Sequence, residues 1–224
     1  MFKKLIMSCM ALAAFAAFAL PATASATNNP DLTEGEARVP VGELVQATNI
    51  GNTEFKATDG TTQLVVCTKV NLTGKVTANS GGTVEGSITK SEFSGSGAVH
   101  ADNNLPECTG SFGSAYITVP KLPLTIRSTP AMTTDEAQIT DSSGSTVTFI
   151  IGSTTAGACE YKTASSVKAD FTTGATSVVT TRNTAAGSGA AKVSGGFLCP
   201  SSGQLKMSFY LETDTAGNAE LGIS

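Results

Sequence analysis

Three groups of residues in this 224-residue chain have the types and spacing for chemistry. They are an imidazole beside a carboxylate, two serines placed ahead of lysines, and acidic residues around a glycine turn. His100 is the only histidine, and Asp102 follows it in Val99-His100-Ala101-Asp102-Asn103. On an extended backbone these two side chains share a face. A Ser–His–Asp site also needs a serine raised on a sharp elbow, and the chain has no Gly-x-Ser-x-Gly. The pair therefore reads as a loop histidine beside a turn aspartate. Ser87 to Lys90 and Ser165 to Lys168 match Ser-x-x-Lys. That motif works on a helix, where positions i and i+3 meet. In period-two segments such as these they are expected on opposite faces. The companion motifs Ser-Asp-Asn and Lys-Thr-Gly are also missing.

Asp214-Thr215-Ala216-Gly217-Asn218-Ala219-Glu220 sets oxygen ligands around a glycine, but it departs from the EF-hand loop. Asp, Asn and Gly are also what a tight turn needs. Asp135-Glu136 with Asp141 is a still looser acidic group. Paired carboxylates can hydrolyse glycosides, yet the chain has no Trp and three Tyr to stack on a sugar. The sequon Asn71-Leu72-Thr73 falls in a strand pattern that accounts for it. The expectation is no catalytic, cofactor-binding or metal-ligating residue, and no cofactor.

The elements that would carry any site begin after an address. Lys3 and Lys4 precede an apolar run from Leu5 to Leu20, which Pro21 ends before Ala24-Ser25-Ala26. This is the pattern of a secretory signal over residues 1–26. Sixteen residues at a helical rise reach about 24 Å, short of a roughly 30 Å hydrocarbon core. Most of the apolar run follows Cys9, which argues against lipidation there. Loss of Lys3 and Lys4 would move the net charge from −4 to −6. An acidic chain with 14% charged residues does not look like a nucleic-acid binder. No partner nucleic acid and no membrane-spanning segment after cleavage are expected.

Beyond the signal stand Cys67, Cys108, Cys159 and Cys199. An even count in an exported chain reads as two disulfides. No close Cys-x₂₋₄-Cys pair suggests zinc. The spans Cys67 to Cys108 and Cys159 to Cys199 are nearly equal, which favours those two pairs and two similar halves.

Residues 27–40 are polar and read as a flexible N-terminal arm. Residues 41–224 then form a single β-rich domain, with halves around 64–126 and 146–211. Leu64, Val66, Thr68, Val70 and Leu72 alternate with their neighbours, and Gly74 suggests a bulge. Asn79-Ser80-Gly81-Gly82 is a hairpin turn. Val147, Phe149 and Ile151 alternate, as do Val167, Ala169 and Phe171. Ala185 to Ala191 reads as a loop. Leu205, Met207, Phe209 and Leu211 form the cleanest strand. About nine or ten strands, with turn signals every 8–12 residues, predict an all-β antiparallel sandwich or barrel.

Several of these segments also carry a family resemblance. Cys67-Thr68, Leu72-Thr73-Gly74-Lys75-Val76-Thr77, Phe93-Ser94-Gly95, and the closing Phe197-Leu198-Cys199-Pro200 with Leu205 to Leu211 are the residues concerned. Together they resemble small exported β-rich bacterial proteins of unknown function. These are secreted proteins of actinobacteria and, more distantly, protein activator of alkane oxidation. The resemblance implies an extracytoplasmic β-rich protein and carries over no active site. The functional expectation is an exported, non-enzymatic structural or interaction protein of the cell surface or extracellular matrix. Its partners would be further copies of itself or components of the cell envelope. The alternatives are a binding module for a glycan or an apolar small molecule and, behind both, a secreted hydrolase.

Overall fold

Threonine and valine suit a pleated, half-buried surface, and the computed structural model is built almost wholly from antiparallel strands. It describes residues 30–58, 62–95, 107–132, 135–153, 155–182, 188–213 and 219–223. The signal segment, His100, Asp102 and Asp214 to Asn218 lie outside the described residues.

The chain runs as eight long legs, each broken near its middle into two strands. The first four are β3 (Leu44–Asn49) with β4 (Thr53–Ala57), β5 (Gln63–Cys67) with β6 (Lys69–Ser80), β7 (Thr83–Ser94) with β8 (Cys108–Gly110), and β9 (Gly113–Thr118) with β10 (Leu124–Ser128). The other four are β11 (Glu136–Thr140) with β12 (Thr148–Ser153), β13 (Gly157–Thr163) with β14 (Val167–Phe171), β15 (Val178–Thr181) with β16 (Gly189–Ser194), and β17 (Ser202–Lys206) with β18 (Ser208–Thr213).

Each leg pairs with the next, and the last returns to pair with the first. The pairings close two barrels. One takes β3, β6, β7, β10, β11, β14, β15 and β18; the other takes β4, β5, β8, β9, β12, β13, β16 and β17. Both follow chain order, so the molecule is one up-and-down meander whose legs each pass through both barrels. The expected halves around 64–126 and 146–211 do not coincide with the barrels for this reason. The expected nine or ten strands become nineteen among the described residues, because each of the eight legs is interrupted at the waist, giving sixteen, and a cap adds three.

A small sheet of β1 (Leu32–Glu34), β2 (Ala37–Arg38) and β19 (Gly222–Ile223) covers the free end of the first barrel, in the order β19-β1-β2. Residues 30–40 are therefore only in part the arm expected from their polarity. Pro30, Leu32 and Val39 are buried and hold this hairpin down.

Bulges set which side chains face inward. Thr73 pairs with Lys90 and Gly74 with Ile88, so Thr89 is an extra residue. It switches the buried positions of β7 from Ile88 to Phe93. A second extra residue, Thr77, turns Asn79 inward beneath the cap. A Cβ at Gly74 of β6 would overlap the Ser87 carbonyl oxygen of β7. The hairpin turn is Gly81-Gly82, with φ of 60° and 73°. Gly189 to Ala191, expected in a loop, belong to β16. The packing explains their size: Ala190 is buried, and its ladder partner Gly203 leaves room for the Phe55 ring.

Candidate functional site

The interior of the first barrel is not filled. A cavity of about 80 Å³ lies within it, lined by Ala47, Leu72, Val76, Ile126, Phe209 and their neighbours. Leu32 of β1 and Ile223 of β19 form its roof. Its floor is Leu72 and Ile88, which also line a smaller cavity of about 40 Å³ at the waist. The wall is apolar. Ser128 is its one hydroxyl at an inward position, and that hydroxyl donates to the Glu136 carbonyl oxygen at 2.8 Å.

The roof is held by Asn79. Its side-chain amide donates to Leu32 O at 2.7 Å and to Val39 O at 2.8 Å, and its Oδ1 accepts from the Leu32 N–H at 2.9 Å. One buried side chain thus serves three main-chain groups of this hairpin, of which Leu32 O also accepts from the Val39 N–H at 2.9 Å.

The second barrel is packed with rings. Phe55 lies 5.1 Å from Phe149 and 4.8 Å from Tyr161, centroid to centroid. Tyr161 is 0% exposed, its hydroxyl donates to Pro200 O at 3.1 Å, and burial pushes its pKa up to about 12. Both disulfides belong to this barrel. Cys67 of β5 joins Cys108 of β8, and Cys159 of β13 joins Cys199 in the turn after β16, the pairing that the spacing favoured. These bridges fit a chain that folds in an oxidising compartment.

That last turn presents Phe197, which is 93% exposed. Cys199 N–H donates to Gly196 O at 3.1 Å and closes the turn. Lys192 Nζ donates to Cys199 O at 3.1 Å and the disulfide anchors it to β13, so the ring stands on a fixed base.

The acidic residues singled out by sequence do not converge. Glu136 is buried on the outer face of β11, where Arg182 NH1 approaches it at 2.8 Å and Lys168 Nζ at 3.6 Å. Arg182 also reaches Asp170 at 2.6 Å, and chiefly this hydrogen bond holds its guanidinium more firmly protonated. Asp141 caps its own turn. The Ser143 hydroxyl and N–H donate to Asp141 Oδ1 and hold this carboxyl below the usual carboxylate range. Among the described residues, no three His, Cys, Asp or Glu side chains gather as a metal set.

Ser87 and Lys90 both lie on the outer face, because the Thr89 bulge restores the parity that period two would break. Lys90 is engaged with Glu92 at 2.9 Å. Ser165 donates to Ser166 O, while Lys168 serves Glu136. Sequence reasoning missed the chamber and Asn79. Small residues at Ala47, Gly74, Gly86 and Ala137 were the available signal for the chamber, but their common facing depends on closure and bulges. No family model, curated protein or solved structure matches this chain.

Proposed function

We propose that the protein is an exported, non-enzymatic interaction protein of the cell surface or extracellular matrix. The observation that carries this reading is the Phe197 turn. An aromatic ring in water is a cost that a folded chain usually avoids by burial. Here it is held out on a disulfide-anchored turn, so little conformational entropy is lost when a partner covers it. The turn itself, Gly195-Gly196-Phe197-Leu198, is uncharged, and so is the Ser111-Phe112-Gly113 turn at the same pole of this barrel. A patch of this kind suits contact with an envelope component rather than electrostatic capture.

Barrel closure bears on how copies would associate. Among the described residues neither barrel has a free strand edge, so strand addition there is restricted to the short β2 edge of the cap. Association would run through loop side chains. The test is retention. Culture fractionation is expected to place the protein outside the inner membrane, and Phe197→Ser to release it from the cell-surface or matrix fraction without loss of fold. A cytosolic location, or equal retention of both forms, defeats the reading.

A further inference from the structure

Both barrels are closed by eight strands, yet they are filled differently, the first keeping a chamber although Phe171 and Phe209 stand in its wall. Three rings occupy the second. In the first, Ala47, Gly74, Gly86 and Ala137 put only hydrogen or methyl at positions around the chamber. Protein interiors normally close at crystal-like density, so the space is a property of this wall and not of barrels in general. Water is a poor tenant. A buried water needs two to four polar partners. Among the described residues, no side chain lining the chamber has a buried polar atom lacking a hydrogen bond.

We propose that the chamber is a binding site for one small, uncharged molecule without hydrogen-bonding groups, of about three to five heavy atoms. The size follows from the volume. At about 80 Å³ the chamber is close to half of the roughly 150 Å³ apolar cavity that takes benzene or xenon. The way in is the cap, and its two parts are fastened differently. β19 is tied to the barrel rim through Gly174 N–H to Ile223 O at 3.0 Å, Ser177 N–H to Leu221 O at 3.0 Å, and Ile223 N–H to Ser177 Oγ at 2.6 Å. The β1–β2 hairpin holds to the barrel wall through Asn79 and to β19 through two paired residues. Gly42, at φ 98°, joins that hairpin to β3. The hairpin is the leaf that opens, and Asn79 is its latch. The site is independent of the Phe197 reading, which concerns the other end of the molecule.

The experiment is a xenon titration of the exported chain, followed by NMR at the methyl groups of Val76, Ile126 and Leu211. Saturable shifts confined to chamber residues are expected, and benzene should bind at least tenfold more weakly than xenon. Ala137→Leu and, separately, Ala47→Val should weaken xenon binding at least tenfold with the amide spectrum retained. Shifts scattered over the surface, water detected in the chamber, or undiminished binding in a folded filling variant would each overturn the site. Wild-type mapping decides the matter even if both variants misfold. Asn79→Ala should speed xenon exchange at least tenfold. An unchanged rate with xenon still bound would overturn the entry route alone.

Discussion

Tyr161 offers the sharpest test of how the second barrel is packed. Its ring is enclosed by Phe55 and Phe149, and burial lifts its pKa from the ordinary 10.0 to about 12. The sign of the linkage follows from proton counting. Between pH 10 and 12 the unfolded chain has lost this proton and the folded chain retains it, so stability falls as pH rises. The contribution is intact below pH 10 and is lost progressively up to pH 12. Two pKa units are worth about 2.7 kcal/mol in full, and at pH 11 about 1.4 kcal/mol is already gone. Tyr161→Phe removes the titration. It should cost about 1 kcal/mol at neutral pH, because the Pro200 carbonyl loses its donor. Urea unfolding of both forms from pH 8 to 11.5 should show the wild type declining more steeply, so that the gap closes and reverses near pH 11. With no Trp in the chain, the tyrosinate absorbance difference between the two forms isolates Tyr161. A difference curve centred near pH 10 in folded protein, or parallel stability curves above pH 10, refutes the burial argument.

Other expectations concern single features. Glu136→Ala should destabilise by about 2–3 kcal/mol in denaturant melts, since a side chain only 5% exposed leaves two cations behind. Asp170→Ala, at 53% exposed, should cost less than about 1 kcal/mol. Gly74→Ala should cost about 3 kcal/mol by the same assay, because the new methyl meets the Ser87 main chain rather than a flexible side chain. Removing both cysteines of either bridge should cost about 3–4 kcal/mol for a loop near 40 residues. Hydrogen exchange in those variants should rise first in β5, β8, β13 and β16, with the β6–β7 hairpin still protected.

Much of this architecture was legible in the residues. Val167, Ala169 and Phe171 point inward on β14, and Leu205, Met207 and Phe209 do so across a break at Met207. Hydrophobic alternation is a local property, and these segments keep it through the waist. The Leu64 to Leu72 run does not. Burial moves from Val65 and Cys67 to Val70 and Leu72, with the change of parity at Thr68. Bulges at Thr77 and Thr89 escape notice for the same reason: an extra residue is defined by its partner strand, and one sequence does not show pairing. The disulfides were legible because covalent spacing survives folding. The chamber was not, since it is a deficit shared by four small residues on different strands. Asn79 looked like turn chemistry, and it lies one residue before the turn-flanking Ser80. Only the three-dimensional path turns it under the cap.

The pairing of β1 with β19 sets Leu32 beside Ile223. The chain therefore enters and leaves the tube at one pole, and Phe197 stands with the hairpin ends of the other barrel. A reporter or an anchor joined just ahead of Pro30 or just after Ile223 would meet the fold at the capped pole, away from the turn that carries Phe197. Such a molecule has a built-in polarity of display. Fixed to a surface through the capped pole, it would hold its ring outward, at the full length of the tube from the point of attachment.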